Sequence, residues 1–346
     1  MSSMTAREII AKRLNHEGTE VTPYTIEIEP KMEKKLAEYY KDADWRKNKL
    51  REFTCCYLVV DTQMFTSIGE PYMRDAFGAI WRMDKRPWHL ETPPLAEPSL
   101  SGYEFPAADV FIKQINENKE EAIRLYEANT EQYRMINMGW GIYEATWRMR
   151  GFENTLIDII TEEGFYRDLT SRLTDLYVAM VRACADIPAD AILFGDDWGE
   201  QRGLIFGAER WRKLIKPCWE KIYAEVHRQG KKAVHHSCGS VAEIYGDLIE
   251  IGMDCHESVQ PEAAGMEPSI LKEKWGKGIS FWGCLGSQGI LNHGTPGEIY
   301  AEIKRLADLF RDDGGFVLAP AKPLFDDMSL DRAVAVIEAL SEMTQS

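Results

Sequence analysis

The second half of the chain alternates short apolar runs with amphipathic stretches, and this alternation most constrains the fold. Each run is followed by a segment whose apolar residues recur at helical spacing. Strands that alternate with helices form a parallel sheet through right-handed crossovers, which predicts a doubly wound sheet or a closed barrel. The five runs are "DAILFGDD" (190–197), "KKAVHHS" (231–237), "MDCHESVQ" (253–260), "GISFWGCLGS" (278–287) and "GGFVLAPAK" (314–322).

Three more strand candidates lie upstream and bring the count to eight. They are "TPYTIEIEP" (22–30), "CCYLVVDTQ" (55–63) and "EQYRMINMGW" (131–140). Eight strands favour a (β/α)8 TIM barrel with an N-terminal extension, and 346 residues can form one such domain over 1–346. Segment 62–105, rich in Pro, Trp and charge, is predicted to be an insertion after the second strand and not a separate domain.

A helix is predicted after each of the five runs, and three of these helices have approximate bounds or end signals. One runs from about Ala208 to Gln229, and a second follows Thr295, a natural N-cap, with Pro296 in the first turn. A third covers about Ser329 to Met343. Each follows one of the predicted strands, as the barrel requires.

The formal charge of −15 limits the partners of the chain. Nucleic acid and anionic membrane surfaces require a basic face, so neither is expected. The start "MSSMTAREII" lacks the pattern of a secretory signal, and seven cysteines without a regular framework suit a reducing compartment. We therefore expect a cytoplasmic protein that binds a small molecule. A homodimer is compatible with the sequence, which does not decide the oligomeric state.

Metal-binding residue types are concentrated where the predicted strands end. Residues two apart on a strand face the same way, so His236 and Cys238 can point together. Glu257 ends the next strand and Cys284 the one after it. A catalytic zinc commonly has three protein ligands and an exchangeable fourth position, which His236 and Cys238 with one or both of Glu257 and Cys284 would provide. The alternative is that cysteines such as Cys284 are ordinary buried thiols.

Other polar and aromatic residues at the strand ends are candidates for chemistry or substrate binding. Asp196 and Asp197 are candidate catalytic carboxylates, together with Glu257, although one of the aspartates could instead cap a turn or pair with Arg202. Lys322 could neutralise a substrate anion or face solvent, and Gln260 could bind substrate or its own loop. The candidate substrate-binding residues are Trp140, Trp198, Arg202, Gln260 and Lys322.

Several of these segments resemble the uroporphyrinogen decarboxylase superfamily, and within it the cobalamin-linked methyltransferase branch. The similar segments, spread in order over roughly residues 140–343, are "GDDWGEQRG", "HHSCGSVAEIYGDLIEIGMD", "SVQPEA", "FWGCLGSQ" and "GGFVLAPAKP". The resemblance implies a zinc held by the His and Cys of an H-x-C-G motif, here His236 and Cys238, which Glu257 can join. Thiol-methylating members carry a further cysteine in the segment that here reads "LAPAKPLF", where none is present. Cys284 could take its place.

The resemblance and the residues together favour one reaction over two other reactions and over a barrel without catalytic activity. We expect a zinc-dependent methyltransferase that moves a methyl group from a methoxylated aromatic compound to the cob(I)alamin of a separate corrinoid protein. The first alternative is methylation of a thiol such as coenzyme M from a methylated corrinoid. Decarboxylation of a porphyrinogen is disfavoured because "VTPYTIEIEPKMEKKLAEYY" lacks the arginines that the decarboxylase uses. A non-catalytic binding barrel is the last alternative.

Overall fold

The computed structural model describes residues 4–345 and consists of a parallel sheet surrounded by helices. Over these residues the main sheet has seven strands, and every neighbouring pair is parallel. Its order is β1, β6, β7, β10, β11, β12, β13. The strands are β1 (Thr54–Val59), β2 (Thr66–Gly69), β3 (Tyr72–Arg74), β4 (Ile80–Arg82), β5 (His89–Thr92), β6 (Tyr133–Trp140), β7 (Ala191–Gly195), β8 (Gly199–Glu200), β9 (Gly203–Leu204), β10 (Lys232–His236), β11 (Cys255–Val259), β12 (Ser280–Leu285) and β13 (Phe316–Pro320).

Helices connect the strands of the main sheet and confirm the predicted strand–helix alternation. They are α1 (Ala6–Leu14), α2 (Pro30–Tyr40), α3 (Trp45–Lys49), α4 (Ala108–Ala128), α5 (Ile142–Arg150), α6 (Phe152–Thr161), α7 (Glu163–Ala183), α8 (Ala208–Leu214), α9 (Lys216–Arg228), α10 (Tyr245–Glu250), α11 (Pro268–Trp275), α12 (Ile290–His293), α13 (Pro296–Leu309) and α14 (Leu330–Gln345), with a 3₁₀ turn at Ala242–Ile244. No helix within residues 4–345 is long and apolar enough to cross a membrane.

Two of the predicted helices are confirmed and the third is divided. Thr295 caps α13 and forms a capping box with Glu298, and α14 occupies the predicted C-terminal segment. The stretch from Ala208 to Gln229 forms α8 and α9 with a break at Ile215. Pro217 lies in the first turn of α9, where a backbone N–H would have no partner within the helix. Proline is not tolerated in a helix interior, so α8 cannot continue through this residue.

The first predicted strand, 22–30, lies beside β13 without forming a regular strand. Parallel bridges pair Tyr24 with Leu318 and Ile28 with Leu324. Pro23 has no N–H to donate to a ladder. Within residues 4–345, no backbone hydrogen bond joins this segment to β1. The structure therefore shows a curled seven-stranded sheet with an eighth segment alongside it, and the fully closed barrel is not confirmed.

The predicted insertion contains a small sheet of its own. Strands β2 to β5 form an antiparallel meander within residues 66–92. Trp81 of this meander is buried and its ring lies 6.2 Å from that of Trp147 on α5. Because the segment follows the carboxyl end of β1, it lies on the side of the sheet where the candidate site residues occur. That residues 1–346 form a single domain stays a prediction.

Two buried histidines show which face of the sheet is packed against helices. His235 Nδ1 lies 2.7 Å from the hydroxyl of Tyr223 on α9, and His256 Nδ1 lies 2.7 Å from that of Tyr245 on α10. Successive residues of a strand point to opposite faces. The next residues, His236 and Glu257, therefore point to the inner side of the sheet.

The buried imidazole of His256 predicts a loss of stability in acid. Burial lowers its pKa from 6.5 to about 4. Between these values the unfolded chain binds a proton that the folded chain excludes, so His256 should account for about 2 kcal/mol of the unfolding free energy that is lost when the pH falls from 7 to 5. Urea unfolding at both pH values measures this. The variant His256→Asn should lose that part of the pH dependence, and the exposed control His293→Asn should keep it; an unchanged slope in His256→Asn contradicts the assignment.

Candidate metal centre

The register of β10 and β11 brings together the first two site residues. His236 is paired with Glu257 across the parallel ladder, and both side chains point to the inner side. His236 Nδ1 donates a hydrogen bond of 2.6 Å to Oε2 of Glu257. This bond fixes the ring so that Nε2 is directed away from Glu257 and is free to accept a metal ion.

Two more metal-binding groups lie next to that nitrogen. The Sγ atom of Cys238 is 3.3 Å from His236 Nε2, and Oδ1 of Asp197 is 3.7 Å from it. The three ligand atoms all lie within 4.8 Å of one another. The backbone N–H of Cys238 donates to Oδ1 of Asp197 at 2.7 Å, which ties the end of β7 to the loop after β10.

The loop that carries Cys238 depends on two glycines. Gly239 has a φ of +71°, and a Cβ there would lie 2.5 Å from the backbone carbon of Gly199. A Cβ on Gly199 would in turn lie 2.6 Å from the carbonyl oxygen of Cys238. Only residues without a side chain allow this close approach. Gln260 completes the loop by accepting a hydrogen bond from the Gly239 N–H at 2.9 Å.

Lys322 approaches the cluster from the segment after β13. Its Nζ donates to Sγ of Cys238 at 3.0 Å, and its backbone N–H donates to Oγ of Ser287. Burial opposes the ammonium charge, but the sulfur and the nearby carboxylates outweigh it and raise the pKa of Lys322. For His236 burial likewise opposes the charge, and Glu257 and Cys238 raise the pKa well above its usual range. Both effects show that the cluster favours positive charge.

The donor set fits a zinc ion. Bond lengths of about 2.0–2.3 Å in tetrahedral geometry place neighbouring ligand atoms about 3.5 Å apart. The 3.3 and 3.7 Å separations around His236 Nε2 match this spacing. One imidazole, one thiolate and one carboxylate would leave a fourth position for substrate or water, as catalytic zinc sites do. Glu257 occupies the supporting position behind the histidine.

The third member of the cluster is Asp197, and neither of the two candidates that the sequence suggested, Glu257 and Cys284, belongs to it. Cys284 is buried on β12 with a φ of +68°, a left-handed backbone that turns its side chain toward the outer helices. The charged groups nearest its thiol, Glu267, Glu302 and Arg305, lie at or on α11 and α13, and burial raises the pKa of Cys284. The prediction of Cys284 as a metal ligand is corrected, and Asp197 stands in the cluster in its place.

Asp196 has a structural role and not the catalytic role that was predicted for it. Its carboxylate is fully buried and accepts hydrogen bonds from the backbone N–H groups of Tyr143 and Glu144 at the start of α5. It also accepts from the indole N–H groups of Trp198 and Trp219. Burial raises the pKa of Asp196 to about 6, although these hydrogen bonds act to lower it. It holds α5 against the end of β7 and does not face the cavity.

Three of the predicted substrate-binding residues also lie away from the cavity. Trp198 is fully buried and stacks on His235 with a centroid distance of 4.4 Å. The side chain of Arg202 is 91% exposed and pairs with Glu200. Gln260 binds its own loop, as described above. Their side chains are of types that commonly bind substrates, but their positions in the sheet and in the loops direct these side chains away from the cavity.

A cavity of ≈ 460 Å³ opens beside the cluster, and the other two predicted substrate-binding residues, Trp140 and Lys322, line it. Trp140 is 43% exposed at its edge, with the guanidinium of Arg148 lying 4.4 Å from the ring centroid. Sequence reasoning did not find Glu144, a buried carboxyl of α5 that lines the same space, because it considered strand ends and not helix starts. The lining residues are Thr25, Glu27, Asn137, Gly139, Trp140, Glu144, Leu193, Phe194, Gly195, Asp197, His236, Glu257, Ala319, Pro320, Ala321, Lys322 and Pro323.

The family to which this site belongs follows from a comparison with known proteins. The model of the uroporphyrinogen decarboxylase (URO-D) family matches residues 121–343, which is more than half of the chain. The chain belongs to the URO-D family. The matched range contains every member of the cluster and the cavity strands from β6 to β13. This confirms the superfamily predicted from the motifs.

Individual relatives agree with this assignment. Uroporphyrinogen decarboxylases of Bacillus cereus (strain B4264) and Bacillus anthracis are each 25% identical over 189 residues, 47% of this chain and 52% of theirs. The chain thus spans about half the length of these curated relatives. A methyltransferase from Methanosarcina mazei shares the fold, with a TM-score of 0.68 and 18% identity over 98% of this chain and 99% of that one.

Metal analysis of the purified protein tests the cluster. We expect about one zinc ion per chain, lost when Cys238→Ser or Asp197→Asn removes a ligand. Glu257→Gln should retain zinc but bind it about 10–100-fold more weakly, because it supports the histidine without contacting the ion. Zinc content by inductively coupled plasma mass spectrometry, with competition against a chelator for affinity, measures both.

The control for this experiment is Cys284→Ala. This variant removes the buried thiol of β12, the strand next to β11. Because that thiol points to the outer helices, the zinc content should not change. Loss of zinc in a folded Cys284→Ala protein would make Cys284 a ligand, as the sequence suggested, and would contradict its outward position.

Proposed function

We propose that this protein is a zinc-dependent methyltransferase that transfers the methyl group of a methoxylated aromatic compound to the cob(I)alamin of a corrinoid protein. The observation that carries the proposal is the Asp197, His236 and Cys238 cluster at the wall of a cavity edged by Trp140. The cluster supplies ligands for a Lewis acid, and the cavity has the size and aromatic edge that a single-ring donor requires.

In the reaction the bond between the methyl carbon and the ether oxygen breaks, and its electron pair stays on the oxygen. The methyl group passes to cob(I)alamin, a strong nucleophile that no side chain can replace. Phenolate is a poor leaving group, and zinc, when bound, supplies a Lewis acid that makes its departure less costly. The phenolate then takes a proton from water.

The chain's own residues position the donor and balance charge. The exposed part of the Trp140 ring offers a stacking surface, and the Arg148 guanidinium on the ring holds it in place. Glu257 keeps the imidazole of His236 oriented. Lys322 stands beside Cys238 where it can compensate negative charge on the sulfur and on the departing oxygen.

The lining of the cavity argues against decarboxylation of a porphyrinogen. Among the described residues that line it there is no arginine, whereas Glu27, Glu144, Asp197 and Glu257 are acidic. A tetrapyrrole with many carboxylates would be repelled. Thiol methylation is also less well supported, because the cluster contains one cysteine and not two.

Methyl transfer from 2-methoxyphenol to reduced cobalamin tests the proposal. The zinc-loaded protein should convert cob(I)alamin to methylcobalamin, followed by absorbance, with free cobalamin or a corrinoid protein as acceptor. Removing a metal ligand with His236→Ala should lower the rate at least about 100-fold. The control Cys56→Ala changes an exposed cysteine away from the cavity and should retain activity.

Three results would contradict the proposal. The first is an unchanged rate in His236→Ala. The second is methylation of coenzyme M from methylcobalamin with no reaction of the methoxy compound. The third is release of carbon dioxide from uroporphyrinogen.

A further inference from the structure

Helix α6 exposes large apolar side chains and buries polar ones. Ile157 and Ile160 are 54% and 62% exposed, and Phe152 at the start of the helix is 48% exposed. A helix on the surface of a monomer normally directs its apolar stripe to the core. We call these three residues the α6 face. The buried residues of the helix are Thr155, Asp158 and Ile159.

A buried ion pair fixes the orientation of α6. Arg150 Nε donates to Oδ2 of Asp158 at 2.7 Å, and both side chains are less than a tenth exposed. Nη1 of Arg150 donates to the carbonyl oxygen of Ala96 at 2.7 Å, which ties the pair to the insertion. Rotating the helix to bury Ile157 and Ile160 would break this pair and leave the charge of Arg150 unpaired, which is strongly destabilising. Another molecule is therefore needed to cover the α6 face.

The α6 face continues into the insertion through a series of ring contacts. The ring centroid of Phe152 lies 6.5 Å from that of Trp147, which lies 6.2 Å from that of Trp81 in the meander. Trp81 in turn lies 6.1 Å from Phe65, and Phe65 lies 5.9 Å from Trp88. Trp88 is 38% exposed. A band of aromatic rings thus joins the α6 face to a second exposed patch.

The two ends of this band carry opposite charges. Glu153 and Glu162 are exposed on and just after α6, and neither has an ion-pair partner among the described residues. At the other end, Lys85 and Arg86 are exposed and also lack a carboxylate partner in the described part of the chain. The Arg86 guanidinium lies 4.7 Å from the centroid of the Trp88 ring. We call Lys85, Arg86 and Trp88 the Trp88 corner.

An acidic apolar patch and a basic aromatic patch on one chain fit a second copy of that chain. In a twofold symmetric dimer, residue i of one copy contacts residue j of the other, and j contacts i. The α6 face on the partner's Trp88 corner would therefore form the same apolar contact and the same charge pairs twice. The net charge of −15 does not prevent this, because charges more than about 8 Å apart are largely screened at physiological salt.

The exposed apolar area is close to what such a dimer requires. Large side chains remove on the order of 200 Å² from water when buried, so the exposed parts of Phe152, Ile157, Ile160 and Trp88 amount to roughly 400 Å². One partner of a standard interface buries about 800 Å², of which somewhat more than half is apolar. These four side chains thus supply most of the apolar area that one copy must contribute.

We infer that the protein forms a twofold symmetric dimer in which the α6 face of each copy packs on the Trp88 corner of the other. The inference is independent of the proposed reaction. It gives the insertion a role, because the Trp88 corner belongs to the meander. It also places the partner beside the cavity, since the Arg148 guanidinium lies 5.6 Å from the ring centroid of Trp147 in the band and 4.4 Å from that of Trp140 at the cavity edge.

Sedimentation equilibrium of the full chain without substrate tests the inference. The unaltered protein should have the mass of two chains at about 10 μM, because interfaces of this size have Kd values from micromolar to picomolar. Ile157→Glu combined with Ile160→Glu places charges in the centre of the interface and should raise the Kd at least about 100-fold. The matched control Ile270→Glu changes an isoleucine of α11 that is 40% exposed and should retain the dimer.

Charge reversal tests which surfaces meet. Glu153→Lys with Glu162→Lys should raise the Kd about tenfold, and Lys85→Glu with Arg86→Glu should do the same, because each places like charges opposite one another. The chain that carries all four substitutions should return to within about threefold of the unaltered Kd, since opposite charges face each other again. All four positions are exposed, so these variants should fold.

Three results would overturn the inference. The mass of one chain at about 100 μM would mean that a different partner covers the α6 face. A dimer that survives the two isoleucine substitutions, or that Ile270→Glu dissociates equally well, would place the interface elsewhere. A fourfold charge variant that stays as weak as the double variants would separate the α6 face from the Trp88 corner. Because only mass is measured, loss of the proposed methyl transfer would leave these outcomes unchanged.

Discussion

The hydrogen bond between His236 and Glu257 is the contact on which the site depends. It exists because β10 and β11 run parallel in a register that places these two residues side by side. The carboxylate takes one ring nitrogen, and the other is thereby directed to Cys238 and Asp197. A shift of either strand by one residue would turn its site residue to the helix-packed face, where His235 and His256 now lie.

Charge explains why these groups converge around a cation. The sulfur of Cys238 and the carboxylates of Asp197 and Glu257 are brought together beside Lys322 and His236, whose raised pKa values show that the site favours positive charge, and a divalent ion would supply such charge. The glycines at 199 and 239 let the loop close tightly enough to bring the sulfur within range. The tight loop, the strand register and the charges of these groups thus together produce a compact set of ligands at the wall of a cavity.

The sequence predicted the strands and the first two ligands because both depend on local pattern. Alternation of strand and helix periods located the seven strands of the sheet, and the spacing of His236 and Cys238 brought them together. Cys284 was misplaced because a left-handed backbone at that residue, invisible in the spacing, turns its thiol outward. Glu144 was missed because the start of its helix is held at the strand ends by a buried contact with Asp196, a tertiary effect that no local pattern contains.

X-ray absorption at the zinc K-edge of the purified protein tests the ligand set most directly. A site formed by Asp197, His236 and Cys238 should give one sulfur at about 2.3 Å, from Cys238, with the remaining neighbours nitrogen or oxygen at about 2.0–2.1 Å. Two sulfur neighbours would mean that a second cysteine reaches the ion and would contradict the outward position of Cys284. A shell with no sulfur would remove Cys238 from the site, and with it the basis of the proposed reaction.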